Sequence, residues 1–415
     1  MTKTALEGCR VLDLTDDRGA LCSKIFGDLS ADVIKIEPPH GDPSRNIGPF
    51  YNNTPHPENS IYWFSLNTNK RGITLDLKKA EGQELFKSLV KTANIVVESL
   101  EVGYLKGLGL GYHELRGIKP DIIMTSVSPF GQDGPYRDYT ISDLVAQAMS
   151  GFMYMIGDPD RPPVRISVPQ AYLHAGGQAA AATSIAYYYW LTSGEGQYID
   201  VAIHGSMTAT TLNAVQFWDL RQQLLERSGP YRQGLSTSSQ QLELWQCKDG
   251  YVAFTVIAGV MGLRTNENTV KWMAEEGMAT DHLRNMDWNT FDQAKATGES
   301  VRMIEKPIQN FFMAHTMKEL YEGAVKRGIM LTPVATPKEI LEDPHLASRN
   351  FWEKVTHPKW GKTFFFPGPA ARLSLTPCTL RRRAPMLGEH NEEIYTEELG
   401  ISQDRLKIML EEGII

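Results

Sequence analysis

Few residues of this chain stand in spacings that do chemistry by themselves. Gly107-x-Gly109-x-Gly111 has the look of a phosphate loop, but the third spacing of a dinucleotide fingerprint is missing and it does not lie between a strand and the helix it should open, so it reads as a turn. There is no Gly-x-x-x-x-Gly-Lys-Ser/Thr, no His-Glu-x-x-His and no Gly-x-Ser-x-Gly. The 10 histidines show no metal-ligand spacing, and no metal is expected. Four cysteines (Cys9, Cys22, Cys247, Cys378) lie far apart without a Cys-x-x-Cys pair, which fits reduced thiols rather than a disulfide framework. Arg381-Arg382-Arg383 is a basic run too short to be more than a solvated or ion-paired face. Asn69, Lys70 and Arg71 suit a loop before a strand.

The elements that must position such residues alternate strand and helix. Arg10–Leu14, Asp32–Glu37, Ile73–Leu77, Ile95–Glu98 and Ile122–Val127 read as strands, with helices over Ala20–Leu29 and Lys79–Ala93. This alternation predicts a mostly parallel sheet covered by helices. A Gly/Pro/Asp-rich loop follows from Pro129, then helices over Ser142–Met155 and Ala171–Thr192, a strand over Gln197–Ile203 and a long helix over His204–Arg227. The pattern changes after Ser228. We therefore expect a large α/β domain beginning with residues 1–227, a smaller domain over 228–326, and a segment over 327–415 that returns to the large domain.

The chain has 415 residues, with 42 Lys+Arg against 49 Asp+Glu and a net charge of −7. Apolar residues make up 42% and charged residues 22%, which excludes wholesale disorder. A mildly acidic chain is a poor partner for nucleic acid or an anionic membrane. Met1–Leu14 shows no signal peptide, and the most membrane-like stretch, Ala179–Leu191, is too short to span a bilayer, so a cytoplasmic location is expected.

Five segments are more specific: ADVIKIEPPHGDPSR (31–45), NTNKRGITLDLK (67–78), VSPFGQDGPYRDY (127–139), SGEGQYIDVAIHGSM (193–207) and PMLGEHNEEIY (385–395). Together they resemble the family III CoA-transferases, in order over nearly the whole chain. The resemblance implies a Rossmann-like large domain plus a smaller one, and two chains threaded into an interlocked dimer. It also implies the family's chemistry. An aspartate carboxylate attacks an acyl-CoA thioester to give a mixed anhydride, and CoA thiolate returns to form an aspartyl thioester. No tightly bound cofactor is needed; coenzyme A thioester enters as substrate.

The family's aspartate falls in a stretch reading Val-Pro, two residues, Asp, three residues, Gly. Here that stretch is Val168-Pro169-Gln170-Ala171-Tyr172-Leu173-His174-Ala175-Gly176, and Tyr172 stands at the nucleophile position. Gly194-Glu195-Gly196-Gln197 fixes the register from the other side. A phenol in water titrates near pH ~10, so about one in ~10³ is ionised at pH 7. His174 is close in sequence, but two residues apart on a helix puts side chains on different faces, and a satisfied packing role is expected for it.

Other departures agree. Pro38 replaces a basic residue that meets CoA phosphate in relatives, and Glu101 stands where a cation would help hold the nucleotide. Asn69, Lys70 and Arg71 match the family and are the candidates for cofactor contact. The related racemases pair a His just before the Asp matching Asp143 with an acid at the Tyr172 position, but this chain has Ser142 and Tyr172 there, so racemisation is not expected. The resemblance thus implies a subunit with no catalytic residue of its own, partnered by a sister family III chain that carries the aspartate. Some members are built from two different chains in this way; succinyl-CoA as donor and benzylsuccinate, in anaerobic toluene degradation, as acceptor are expectations from the resemblance alone. The alternative is an active CoA-transferase, lyase or isomerase that uses Tyr172.

Overall fold

The computed structural model describes residues 4–232, 241–292 and 295–415. Two compact units are present. One comprises residues 1–152, 166–212 and 344–415, the other 153–165 and 213–343. The junctions thus fall at 212/213 and 343/344 rather than at 227/228 and 326/327, and residues 153–165 group with the second unit.

The first unit is built on six parallel strands: β1 (Arg10–Leu14), β2 (Asp32–Glu37), β3 (Lys70–Thr74), β4 (Ile95–Glu98), β5 (Ile123–Ser128) and β6 (Tyr198–Ala202). Their order is β3-β2-β1-β4-β5-β6. This is a doubly wound arrangement, with the chain reversing direction across the sheet between β1 and β4. The strands are nearly continuous runs of buried residues because both faces are covered. Helix Ala80–Val90 and the C-terminal segment cover one face, where Leu12, Ile34, Phe86, Val96, Ile394 and Met409 pack together. Helices Ala20–Asp28 and Ala171–Ser193 cover the other, with Val11, Phe26, Val97, Ala175 and Ala179 in one cluster.

β3 begins three residues before the strand expected from sequence, at Lys70. It pairs with β2 from Val33↔Lys70 to Glu37↔Thr74. A lysine is tolerated there, fully buried, because its ammonium lies 2.8 Å from the equally buried Asp13 carboxylate.

The small-residue helix Ala171–Ser193 contains Gly176, where a Cβ would come within 2.8 Å of the Leu21 Cβ. Only glycine allows this approach to helix Ala20–Asp28. The helix ends at Gly194 (φ 74), whose N–H bonds to the Trp190 carbonyl. The long helix expected over His204–Arg227 is broken: helix Ile203–Thr208 passes into a 3-10 turn, Ala209–Thr211, and a new helix runs from Asn213 to Arg221. Hydroxyls of Thr208, Thr210 and Thr211 bond back to the preceding turn, and β-branched threonines crowd a helix.

The last residues stitch onto the sheet edge. Tyr395 donates its hydroxyl to the Thr74 carbonyl at 2.8 Å, and Trp63 its indole N–H to that of Pro385 at 3.1 Å. The final helix, Gln403–Glu411, has Ser402 as N-cap, accepting from the Arg405 N–H. In the second unit, an antiparallel sheet of Leu244–Gln246, Tyr251–Phe254 and Leu331–Pro333 packs on helices through Trp245, Phe254, Trp272, Phe311 and Phe312. Among the described residues no helix is long and apolar enough to cross a membrane.

Candidate functional site at the sheet switch point

Open parallel sheets bind ligands outside the carboxyl ends of their strands, where the strand order reverses. Here that point lies beyond β1 and β4. The turn after β1, Thr15-Asp16-Asp17-Arg18, is tied to the residue after β4: the Ser99 hydroxyl donates to Asp16 Oδ1 at 2.7 Å and accepts from the Asp16 N–H at 2.8 Å. Arg18 is held by Asp16, with Nη2 2.6 Å from Oδ2.

Beneath this turn lies a buried polar layer. Asp13 accepts from Lys70 Nζ at 2.8 Å, the Ser23 hydroxyl at 2.5 Å and the Thr15 hydroxyl at 2.6 Å. Burial opposes its ionisation, but Lys70 and Lys35 outweigh it and hold the carboxyl down at about 2. Lys35 bonds to Asp42 at 2.9 Å, and Glu37 grips Arg45 through two bonds of 2.6 and 2.8 Å.

Tyr172, the second residue of helix Ala171–Ser193, faces this turn. Gly176, one turn along, sets the close contact with helix Ala20–Asp28, whose first residues follow Arg18. Burial first and then Asp17 push the Tyr172 hydroxyl up to about 12, against a smaller pull from Arg18. At pH 7 roughly one phenol in 10⁵ is then ionised. Asp17 itself is raised to about 6, by burial and then by Asp16 and Asp42. The Tyr62 hydroxyl is also pushed up, by burial and then by Asp17 and Tyr172. The site therefore presents neutral phenols beside clustered acids.

His174 lies on a different helix face and is exposed rather than packed, which corrects the expected packing role. Asp143 is nearly buried and caps the helix: Oδ1 accepts from the Gln170 and Ala171 N–H groups at 2.7 and 2.9 Å, and Oδ2 from the Gln147 amide at 2.6 Å.

Next to this point, beyond β4 and β5, is a cleft of about 250 Å³ lined by Glu98, Glu101, Glu114, Lys106, Arg137 and Tyr198, among others. Burial pushes Glu98 up to about 7, although the Leu100 N–H at 2.7 Å favours its ionised form. Glu101 is exposed at the rim, and Pro38 is half-buried after β2. The glycine triplet 107–111 is a turn between the short helices Tyr104–Gly107 and Tyr112–Ile118.

The three residues expected to touch a nucleotide are engaged in the fold. Lys70 has 0% exposure and bonds to Asp13, Asn67 and the Ala20 carbonyl. Arg71 pairs with Asp32, Glu393 and Glu398. Asn69 bonds to Asp28 and to backbone groups of Thr379, Arg381 and Arg382. Their placement gives the nucleotide expectation no support. Asp17, Arg18, Ser99 and Glu98 were not singled out in the sequence; the signal available was their position just past two strands at the switch point.

A twisted parallel sheet in this order, with its polar groups gathered at the switch point, defines an α/β protein of the ligand-handling type. The chain belongs to CoA-transferase family III, whose family model matches residues 6–391. It is 35% identical over 397 residues to the succinyl-CoA:(R)-benzylsuccinate CoA-transferase subunit BbsE of Thauera aromatica, covering 94% of this chain and 93% of that one. It is 32% identical over 412 residues to the succinyl-CoA–D-citramalate CoA-transferase of Chloroflexus aurantiacus, covering 99% and 98%. A CAIB/BAIF family protein from Brucella suis superposes with a TM-score of 0.79 at 26% identity, covering 96% of this chain and all of the other.

Proposed function

We propose that this chain is the non-catalytic subunit of a heteromeric family III CoA-transferase, and that a sister chain carries the nucleophilic aspartate. The observation that carries the proposal is Tyr172. It stands in the register of the family's aspartate, and its surroundings keep the phenol protonated near pH 7. Neighbouring Asp17 is too weak a base to change this: drawing the proton from a group near 12 to one near 6 costs about 8 kcal/mol. The similarity to BbsE, which is named as a subunit, supports the heteromer. By that similarity the proposed donor is succinyl-CoA, the proposed acceptor (R)-benzylsuccinate and the proposed setting anaerobic aromatic catabolism in the cytoplasm.

An interlocked dimer with the sister chain is proposed on a second observation. Helix Ala171–Ser193 leaves Ile185, Tyr188 and Leu191 70%, 70% and 60% exposed, an apolar face that suits a protein interface. The cleft beyond β4 and β5 carries three glutamates against Lys106 and Arg137, which disfavours a phosphorylated nucleotide on this chain alone.

A second reading, an active transferase, lyase or isomerase that uses Tyr172, has in its favour that a partly buried carboxylate near 6, Asp17, acts on that phenol. Activity assays separate the two. The isolated chain should transfer no CoA between succinyl-CoA and a panel of carboxylic acids. Addition of the sister chain should restore transfer, and replacing that chain's aspartate should abolish it. Turnover by the isolated chain would overturn the proposal.

A further inference from the structure

The basic run Arg381-Arg382-Arg383, unused by the functional site, meets the β-hairpin Trp352–His357/Lys362–Pro367 at a basin of about 430 Å³. Lys354, Thr356, Arg381, Arg382, Arg383, Glu389 and His390 line it, so four cations face one carboxylate. Two of the cations have partners in the fold. Arg383 grips Glu389 through bonds of 2.8 and 2.5 Å, which engages both carboxylate oxygens. Arg381 donates to the Gly27 and Ala31 carbonyls at the end of helix Ala20–Asp28.

Arg382 is different. Its backbone is fixed at the sheet edge, since Asn69 donates to its carbonyl and accepts from its N–H. Its guanidinium Nη1 lies 3.5 Å from His390 Nε2. The tautomer of His390 follows from its other nitrogen. The Gly72 backbone N–H points at Nδ1 at 3.1 Å, so Nδ1 must accept, and the ring proton of the neutral imidazole is on Nε2. A guanidinium always donates. Two N–H donors therefore face each other at 3.5 Å, and the ammonium of Lys354 stands on the same basin wall. Burial, with Arg382 and Arg71 adding to it, holds the imidazole below its usual range and keeps that tautomer populated at neutral pH.

Opposed donors are satisfied by one acceptor placed between them. We propose that this basin is a binding site for an oxyanion, a phosphate group in particular, bridged by Arg382 Nη1 and His390 Nε2 and neutralised by Lys354. Donors of three kinds lining one basin suit an oxyanion with acceptor oxygens in several directions, as a tetrahedral phosphate has. The site lies along the β3 edge and its hairpin, and it is argued independently of the subunit's proposed role in CoA transfer.

Isothermal titration of the full-length chain with inorganic pyrophosphate, inorganic phosphate and succinate, at constant ionic strength, tests it. The site predicts pyrophosphate binding tighter than ~1 mM and succinate weaker by at least tenfold. Arg382→Gln should weaken pyrophosphate at least tenfold, and Lys354→Gln a few-fold, because each removes one charge-assisted bond. Both side chains are exposed, so the fold should hold, and circular dichroism checks it. Lys318→Gln, an exposed lysine in the other unit, should bind like the parent. No heat up to ~10 mM pyrophosphate, equal loss in the Lys318 variant, or succinate binding as well as pyrophosphate would each overturn the assignment.

Discussion

The Asp143 carboxylate lies 2.9 Å from the Ala171 backbone nitrogen and accepts a hydrogen bond from its N–H, so it caps the helix on which Tyr172 is the next residue. The same oxygen, Oδ1, accepts a second bond from the Gln170 N–H at 2.7 Å. Asp143 is thus occupied in holding a helix terminus. Asp143→Ala should cost about 1–3 kcal/mol, from a lost cap and the N–H groups it leaves unpaired. Urea denaturation checks this, and an unchanged midpoint would remove the capping role.

Glu98 predicts a pH dependence. Its carboxyl is raised from the usual 4.5 to about 7, so the folded state keeps a proton that the unfolded state releases. The corresponding stability is fully present below about 4.5 and is lost as pH rises through about 7, roughly 3 kcal/mol in all. Glu98→Gln keeps an acceptor for the Leu100 N–H and removes the titration. Chemical denaturation from pH 4.5 to 8 should show parent stability falling relative to the variant.

The buried pair of Lys70 and Asp13 predicts a fold effect. Lys70→Met leaves Asp13 as an uncompensated charge in the sheet and should cost about 3–5 kcal/mol, seen as a drop in the denaturation midpoint. Any CoA binding by the complex should survive wherever the variant remains folded. Selective loss of CoA affinity with unchanged stability would restore Lys70 as a nucleotide contact.

Pro38 and Glu101 bear on CoA itself. The isolated Arg382→Gln chain, in which the phosphate basin of the hairpin is weakened, should bind CoA no tighter than ~1 mM in calorimetry. Micromolar binding would contradict the reading of both positions.

Much of the fold was legible in the sequence because it rests on local periodicity. Asp32–Glu37 and Ile95–Glu98 are short apolar runs between turns, and both form strands with those bounds. Lys70 was misplaced because a charged residue at a strand start reads as loop; only the ion pair to Asp13, 57 residues away, makes burial tolerable. The helix expected through Thr208–Thr211 failed for a local reason, competing hydroxyl bonds and β-branching. At the site, the register of Tyr172 could be read from its flanks, whereas the raised Asp17 and the Asp16–Ser99 link come from chain segments that meet only after folding. The opposed donors of Arg382 and His390 were likewise invisible, since they depend on the tautomer that Gly72 imposes.

The most direct test of the central claim is the turnover of the complex assembled with Tyr172→Phe. If Tyr172 only fills the space where a carboxylate would stand, losing its hydroxyl costs at most one hydrogen bond, ~0.5–1.5 kcal/mol of stability. CoA transfer from succinyl-CoA should then stay within a factor of about two of the parent complex, and Tyr172→Asp should gain no activity at this site. A fall of ~10³ or more in Tyr172→Phe, equivalent to about 4 kcal/mol of transition-state stabilisation, would contradict the account and make this chain an enzyme in its own right.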